Sequence, residues 1–300
     1  MCFDQKSSFG FAGCGLFASW WIYSNTKNRE LATGVFFFFT MEFLQGLQYF
    51  VIAEEEDYIN NTGMCLDMIN QFLTMLGFLH ICLQPYYCHV INASLTQDPK
   101  YIGQYKCIKR LCLLGGATLF GRFLMGYYGY GITEGAMKTG FHMEESATGY
   151  WPRISGVGES TEWLRGEKLC TFNGKYHLAW GIPMADPTYY VPGAGIHSFL
   201  MYAPFIALYE KKGMILQGCV LFFTGPALSA FITPNLMEQA SIWCFFSIAQ
   251  ICTMLFGIRE VLIVEYGKDG QKSALFAAKP ELAAKAAAKA AKIASRGKTA

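Results

Sequence analysis

The sequence predicts an all-α integral membrane protein, a bundle of seven transmembrane helices with its N-terminus outside and its C-terminus inside. Three observations lead to this prediction. Hydrophobic residues make up 53% of the 300 residues and charged residues only 15%, whereas a soluble domain carries about a quarter charged residues. Apolar runs of roughly 20 residues, the length that crosses a bilayer, recur along the chain. Positive charges fall in alternate loops between these runs.

Seven apolar segments are the predicted spans. The third is longer than a bilayer requires, and its Pro85 allows a kink. In chain order the segments are residues 8–24, 31–53, 65–94, 107–129, 191–209, 214–233 and 237–264.

The loops between these segments give the orientation. The first, third and fifth loops carry Lys or Arg, and the second and sixth carry neither. Cytoplasmic loops of membrane proteins are enriched in Lys and Arg. The odd-numbered loops and the basic C-terminal tail are therefore expected inside, and the even-numbered loops outside.

Two regions are expected from this organisation. Residues 1–266 form the membrane domain, with a large outer loop at 131–190. Residues 267–300 form a cytoplasmic tail rich in Ala and Lys, with a net charge of +6, so that the rest of the chain has −4. The tail is predicted to be helical and to contact anionic lipid, at about 1 kcal/mol per charge near the surface. Its basic run is short, and no nucleic-acid partner is expected.

The outer loop contains a hairpin signal. Asn173-Gly174 stands between two β-capable runs, which predicts a two-residue turn within a hairpin over Leu169–Leu178. Cys65 and Cys170 both fall on the predicted outer side and form a candidate disulfide that would join the loop to the bundle, with Cys2 as a further outer candidate. Asn60-Asn61-Thr62, on the same side, is an acceptor sequence for N-glycosylation.

Polar side chains interrupt the second span, where residues 41–50 read MEFLQGLQYF. A charge at the bilayer centre costs about 2.5–3.5 kcal/mol before any pairing. At 100° per residue, Gln45 and Tyr49 lie within about 60° of Glu42, so the three form one stripe along the helix. Gln48 points away from this stripe and needs another partner.

Further polar groups fall at matching depths in neighbouring spans. His80 and Gln84 share a helix face in the third span, Arg122 lies in the fourth, and His197 lies near the outer end of the fifth. An ion pair between Glu42 and Arg122 is expected, with His80 bonded to Glu42 or exchanging a proton with it. The candidate ligand- or ion-binding residues are Glu42, Gln45, Tyr49, His80, Gln84, Arg122 and His197; no metal site and no cofactor are assigned.

Three functions are compatible with a layer of these polar side chains inside the bundle. The first is transport, channel activity or ligand sensing. The second is a membrane-embedded hydrolase, possibly metal-dependent and acting on lipid, in which His80 and Glu42 are the acid and base candidates; His80, His89 and His197 are its metal-ligand candidates. The third is a structural or assembly protein in which the polar groups pack helices. A retinal protein is disfavoured because segment 237–264 contains no Lys.

Four short motifs occur in order along the chain. They are ME-x-x-Q-x-x-QY from Met41, HI-x-x-QP from His80, C-x-x-x-G-x-x-HLAW from Cys170 and H-x-x-x-x-x-AP from His197. The ordered set resembles an uncharacterised multi-pass membrane protein family of algae, other microbial eukaryotes, bacteria and large DNA viruses. The resemblance covers about residues 9–265. It implies a multi-pass membrane architecture and supports the selection of the candidate residues given above. It implies no activity.

Overall fold

Helices make up most of the chain in the computed structural model. The structure describes residues 4–26, 28–95, 99–131, 138–139, 159–160, 162–187, 192–208, 212–233 and 235–252. The helices are α1 (Gln5–Thr26), α2 (Arg29–Gln48), α3 (Glu55–Asn60), α4 (Met68–Leu95), α5 (Pro99–Tyr127), α6 (Gly195–Ala207), α7 (Lys212–Thr224), α8 (Pro226–Ile232) and α9 (Gln239–Cys252), with a 3-10 turn at Gly63–Leu66.

Each of the seven apolar segments coincides with helical structure. The sixth is divided between α7 and α8 at Gly225, and the seventh is described as far as Cys252. Within the described residues, one helical stretch, Ile215–Ile232, is long and apolar enough to cross a bilayer, with a mean hydropathy of 1.8. The tail at 267–300, Cys2 and residues 132–137, 140–158, 161 and 188–190 of the outer loop lie outside the described residues.

Helices α2 and α4 occupy the middle of the bundle. Helix α2 packs against α1, α4 and α9, whereas α5 packs against α4 and α6. Small residues allow close approach: a Cβ atom on Gly116 of α5 would lie 2.3 Å from the carbonyl oxygen of Cys82 on α4. Helix α2 begins at a local cap, where the Asn28 side chain accepts a hydrogen bond from the Leu31 amide at 3.0 Å.

The predicted hairpin is present, but its turn differs from the prediction. Strand β3 (Cys170–Asn173) pairs antiparallel with β4 (Leu178–Gly181), and Asn173 lies opposite Leu178. Four residues, 174–177, therefore connect the strands instead of two. The cause is Glu238, whose Oε1 accepts hydrogen bonds from the amides of Tyr176 at 2.5 Å and His177 at 2.7 Å. Two shorter strands, β1 (Lys138–Thr139) and β2 (Glu159–Ser160), pair in parallel.

The hairpin is buried in one end of the bundle. Phe172 and Leu178 have no exposed surface, and Trp180 is nearly as buried. The hairpin packs against α4 and α9, and Ala53 just beyond α2 pairs with Phe172. Cys65 and Cys170, the candidate pair, form a disulfide that joins the 3-10 turn to β3 across 105 residues of sequence.

The disulfide generates a first prediction. Replacing both Cys65 and Cys170 by Ser should destabilise the protein by about 2–4 kcal/mol, because the unfolded chain loses a long covalent loop. In a protein of this size that lowers the midpoint of thermal unfolding by roughly 5 °C, measured on the purified protein. Cys14→Ser, which removes an exposed free thiol on α1, is the matched control. Equal midpoints for all three proteins would show that the bond contributes nothing.

Candidate functional site

Glu42 and Gln45 lie at the centre of the contact between α2 and its neighbours. Both side chains have no exposed surface. Among the residues that the structure describes, neither carboxylate oxygen of Glu42 and neither amide atom of Gln45 has a hydrogen-bond partner. The Ser8 hydroxyl of α1, equally buried, approaches Glu42 without reaching hydrogen-bonding geometry. Ser8, Glu42 and Gln45 are called the α2 polar cluster below.

The expected ion pair between Glu42 and Arg122 is wrong. Arg122 is 1% exposed and forms a two-pronged ion pair with Glu162 of the outer loop, with N–O distances of 2.5 and 2.8 Å. Its Nε also donates to the carbonyl oxygen of Ala185 at 3.0 Å. The predicted depth of Arg122 matches that of Glu42, but α5 packs against α4 and α6. The guanidinium group therefore binds the outer loop, where Glu162 also accepts a hydrogen bond from the Ala194 amide.

The expected contact between His80 and Glu42 is also replaced by another. The His80 Nε2 atom lies 2.7 Å from the carbonyl oxygen of Phe37, and the two rings stack with centroids 3.9 Å apart. His80 thus contacts α2 more than one helical turn before Glu42. Its contacts tie α4 to α2.

Gln84 and His197, both among the candidate site residues, lie in contact with each other. The Gln84 Oε1 atom lies 3.2 Å from Nε2 of His197, and Gln84 Nε2 donates to the sulfur of Cys244 at 3.2 Å. Cys244 lies on α9, which packs against α2, and its thiol is near Glu42. The chain of contacts from His197 through Gln84 to Cys244 therefore ends beside the α2 polar cluster. Sequence reasoning missed Cys244, because a cysteine in an apolar helix has the appearance of a small packing residue.

Tyr49 and Gln48 both bind the hairpin. The Tyr49 hydroxyl lies 2.9 Å from Nδ1 of His177, and burial lowers the pKa of His177 to about 3, so the imidazole is neutral at physiological pH. The Trp180 indole donates to Gln48 Oε1 at 3.1 Å, and Gln48 Nε2 donates to the carbonyl oxygen of Leu73. These two hydrogen bonds give Gln48 the partners that it could not find along the stripe of Glu42, Gln45 and Tyr49. The contact with His177 places Tyr49 against the hairpin.

Asn70 fastens the hairpin to α4. Its amide nitrogen donates to the carbonyl oxygens of Val51 and Thr171 at 2.7 and 2.8 Å, and its Oδ1 accepts from the Thr171 amide at 2.9 Å. The hydroxyls of Thr74 and Thr171 lie 2.7 Å apart. The polar face that Asn70, Thr74 and Gln84 share on α4 is therefore divided between the hairpin at one end and His197 at the other.

The histidine candidates for a metal site lie apart. His80 binds the Phe37 carbonyl, His89 binds the Leu200 carbonyl at 2.9 Å, and His197 binds Gln84. Within the described part of the chain, no group of three or more His, Cys, Asp or Glu side chains is arranged to hold a metal ion. The three-histidine site considered from the sequence is not assembled by these residues.

The fold and the site together define the class of this protein, which is a helix bundle. One end of the bundle is closed by a disulfide-linked hairpin, and the interior holds a carboxylate that has no hydrogen-bond partner among the described residues. The chain belongs to DUF5765, a family of unknown function, whose family model matches residues 6–263. This agrees with the uncharacterised family that the ordered motifs indicated. No curated protein and no solved structure matches the chain.

The buried ion pair generates a second prediction. Glu162→Gln should destabilise the protein by about 3–5 kcal/mol, because it leaves the Arg122 guanidinium buried without a counter-charge. Thermal unfolding of the purified protein measures the effect. Glu56→Gln removes an exposed carboxylate and is the matched control. A loss of stability no larger than that of the control would show that Glu162 does not hold the arginine.

Proposed function

We propose that the chain is a multi-pass integral membrane protein whose seven apolar segments cross the bilayer, with the N-terminus outside and the C-terminus inside. Large apolar side chains on the outer faces of the bundle support this proposal. More than half of the surface of Phe17, Phe72, Phe223 and Phe231 is exposed, on α1, α4, α7 and α8. Contiguous exposed apolar surface is rare on soluble monomers and is expected on helices that face lipid.

The disulfide agrees with the proposed orientation. Cys65 and Cys170 both fall on the side assigned as outer by the positive charges, and disulfides persist in oxidising compartments outside the cytosol. The basic segment 267–300 is placed by the same orientation on the inner side. We include in the proposal that its Lys and Arg side chains contact anionic lipid there.

We further propose that the protein transports a ligand, conducts it or senses it through the α2 polar cluster. One observation carries this proposal: Glu42 and Gln45 are fully buried and have no partner among the described residues. An unsatisfied buried polar group costs about 1–3 kcal/mol, and more when it is charged. Other buried polar side chains of the bundle, Gln48, Gln84 and Arg122, are all paired. A ligand that completes the hydrogen bonding of Glu42 and Gln45 accounts for this difference.

A structural or assembly role is the second candidate. It is favoured by the paired groups themselves, because Arg122, Gln84 and His197 each hold two segments of the chain together. The two candidates differ in one measurable property. A ligand site must exchange with water, whereas a cluster that only packs helices stays dry.

Cysteine accessibility tests this difference. In a background where Cys2, Cys252 and the exposed Cys14, Cys107 and Cys219 are replaced by Ser, Gln45→Cys in membranes should react with a water-soluble thiosulfonate. Phe43→Cys, on the same helix but 51% exposed toward the proposed lipid side, should not react. The readout is the fraction of protein labelled with time. If Gln45→Cys reacts no faster than Phe43→Cys, the cluster is dry and the structural role holds.

The proposed orientation has a separate test. Asn60 and Thr62 of the acceptor sequence are exposed at the end of α3, on the proposed outer side. Translation into microsomes should add one N-linked glycan at this loop, seen as a mobility shift that a glycosidase removes. Asn60→Gln should abolish the shift. Asn61→Gln, which leaves the acceptor sequence intact, should retain it. A wild-type chain that stays unmodified would contradict an outer location for this loop.

A further inference from the structure

The oxygen atoms of the α2 polar cluster identify the chemical class of the ligand. We infer that Ser8, Glu42 and Gln45 bind a monovalent metal cation, for which Na⁺ is the probe. The inference rests on the proposed function, since it names the ligand of the same cluster.

The donor set is the first argument. The cluster offers the two carboxylate oxygens of Glu42, the amide oxygen of Gln45 and the hydroxyl oxygen of Ser8, each buried and without a hydrogen-bond partner among the described residues. Oxygen donors of this kind bind hard cations of the alkali and alkaline-earth groups, whereas softer metals select sulfur and imidazole. The neighbouring thiol of Cys244 already accepts a hydrogen bond from Gln84.

The charge of the cluster is the second argument. Glu42 is its one acidic residue, and no described Lys, Arg or His lies within salt-bridge distance of it. An isolated charge inside a protein is costly, and either a proton or a bound cation removes this cost. One carboxylate is neutralised by one positive charge. A divalent ion would leave an excess charge in the same apolar surroundings.

The geometry of α1 and α2 is the third argument. Glu42 and Gln45 are three residues apart on α2, so their side chains adjoin on one face. Ser8 approaches from α1, which is held against this end of α2. Gln5 Nε2 donates to the carbonyl oxygen of Gly46 at 3.2 Å, and the Phe9 ring fills the space beside Gly46. A cation at this position would be shared between the two helices.

The Phe11 and Phe245 rings lie edge to face near the same contact, with centroids 4.9 Å apart. They join α1 to α9, the helix that carries Cys244. Aromatic packing of this kind lowers the local dielectric beside the cluster. It therefore strengthens the attraction between a bound cation and Glu42.

Thermal stability with exchanged cations tests the inference. The purified full chain in detergent is unfolded in NaCl and in N-methyl-D-glucamine chloride at equal ionic strength and pH. Since Na⁺ binds the folded state, the midpoint in saturating NaCl should be higher by roughly 5 °C. Glu42→Gln, which keeps the shape and removes the charge, should abolish this difference. Ser8→Ala should raise the NaCl concentration for half of the shift by about tenfold.

Glu30→Gln is the matched control, because it is the same substitution on the same helix at a residue that is 61% exposed. It should retain the full response to Na⁺. A wild-type midpoint that is equal in the two salts overturns the inference, as does an unchanged response of Glu42→Gln. Stabilisation by CaCl₂ but not by NaCl overturns the charge argument and the inference with it.

The result is separable from that of the accessibility experiment. If Gln45→Cys is labelled while Na⁺ has no effect, the cluster is a site for another ligand, and only the assignment of a cation fails. If Gln45→Cys is dry and Na⁺ has no effect, the proposed ligand site fails as well. Labelling together with a Na⁺ response that Glu42→Gln abolishes supports both.

Discussion

The seating of the hairpin between α2 and α4 is the interaction on which the rest of the structure depends. The Trp180 indole enters beside Gly77 and donates to Gln48, whose amide is held in turn by the Leu73 carbonyl. Asn70 binds both the hairpin strand and the backbone beyond α2. Because these polar groups are buried, each needs its partner to be in place. Removing the hairpin would leave the ends of two central helices with several unsatisfied groups at once.

This arrangement divides α2 into two parts with different uses. Gln48 and Tyr49, at the end of the helix, bind the hairpin. Glu42 and Gln45, one to two turns earlier, are as deeply buried and bind nothing in the described part of the chain. A single apolar helix thus carries polar residues that stabilise the fold beside polar residues that cost stability. Such a cost is typical of functional positions, where local structure is not optimised for stability alone.

Sequence reasoning located the helices well because long apolar runs are a strong signal that requires no knowledge of neighbours. It located the hairpin for a similar local reason, since Asn173-Gly174 favours a turn. The predicted length of the turn was wrong because Glu238, more than 60 residues away in the sequence, binds the backbone amides of the loop. Arg122 was misassigned for the same kind of reason. The helix that carries Arg122 could be inferred, but the helices adjoining α5 could not, and those helices direct Arg122 to Glu162. Membership of DUF5765 agrees with the motifs used, yet no motif contains Cys244 or Ser8.

The long separation between Cys65 and Cys170 bears on how the protein is made. The two cysteines are 105 residues apart, so the ribosome completes α4 and α5 before it supplies the partner of Cys65. Throughout that interval Gln48 and Asn70 have no hairpin to bind. The polar groups of these early helices therefore stay unsatisfied, or bind water or a chaperone, until the hairpin has been synthesised. The contacts that hold the hairpin in the finished bundle therefore form only after the helices up to α5 have been synthesised.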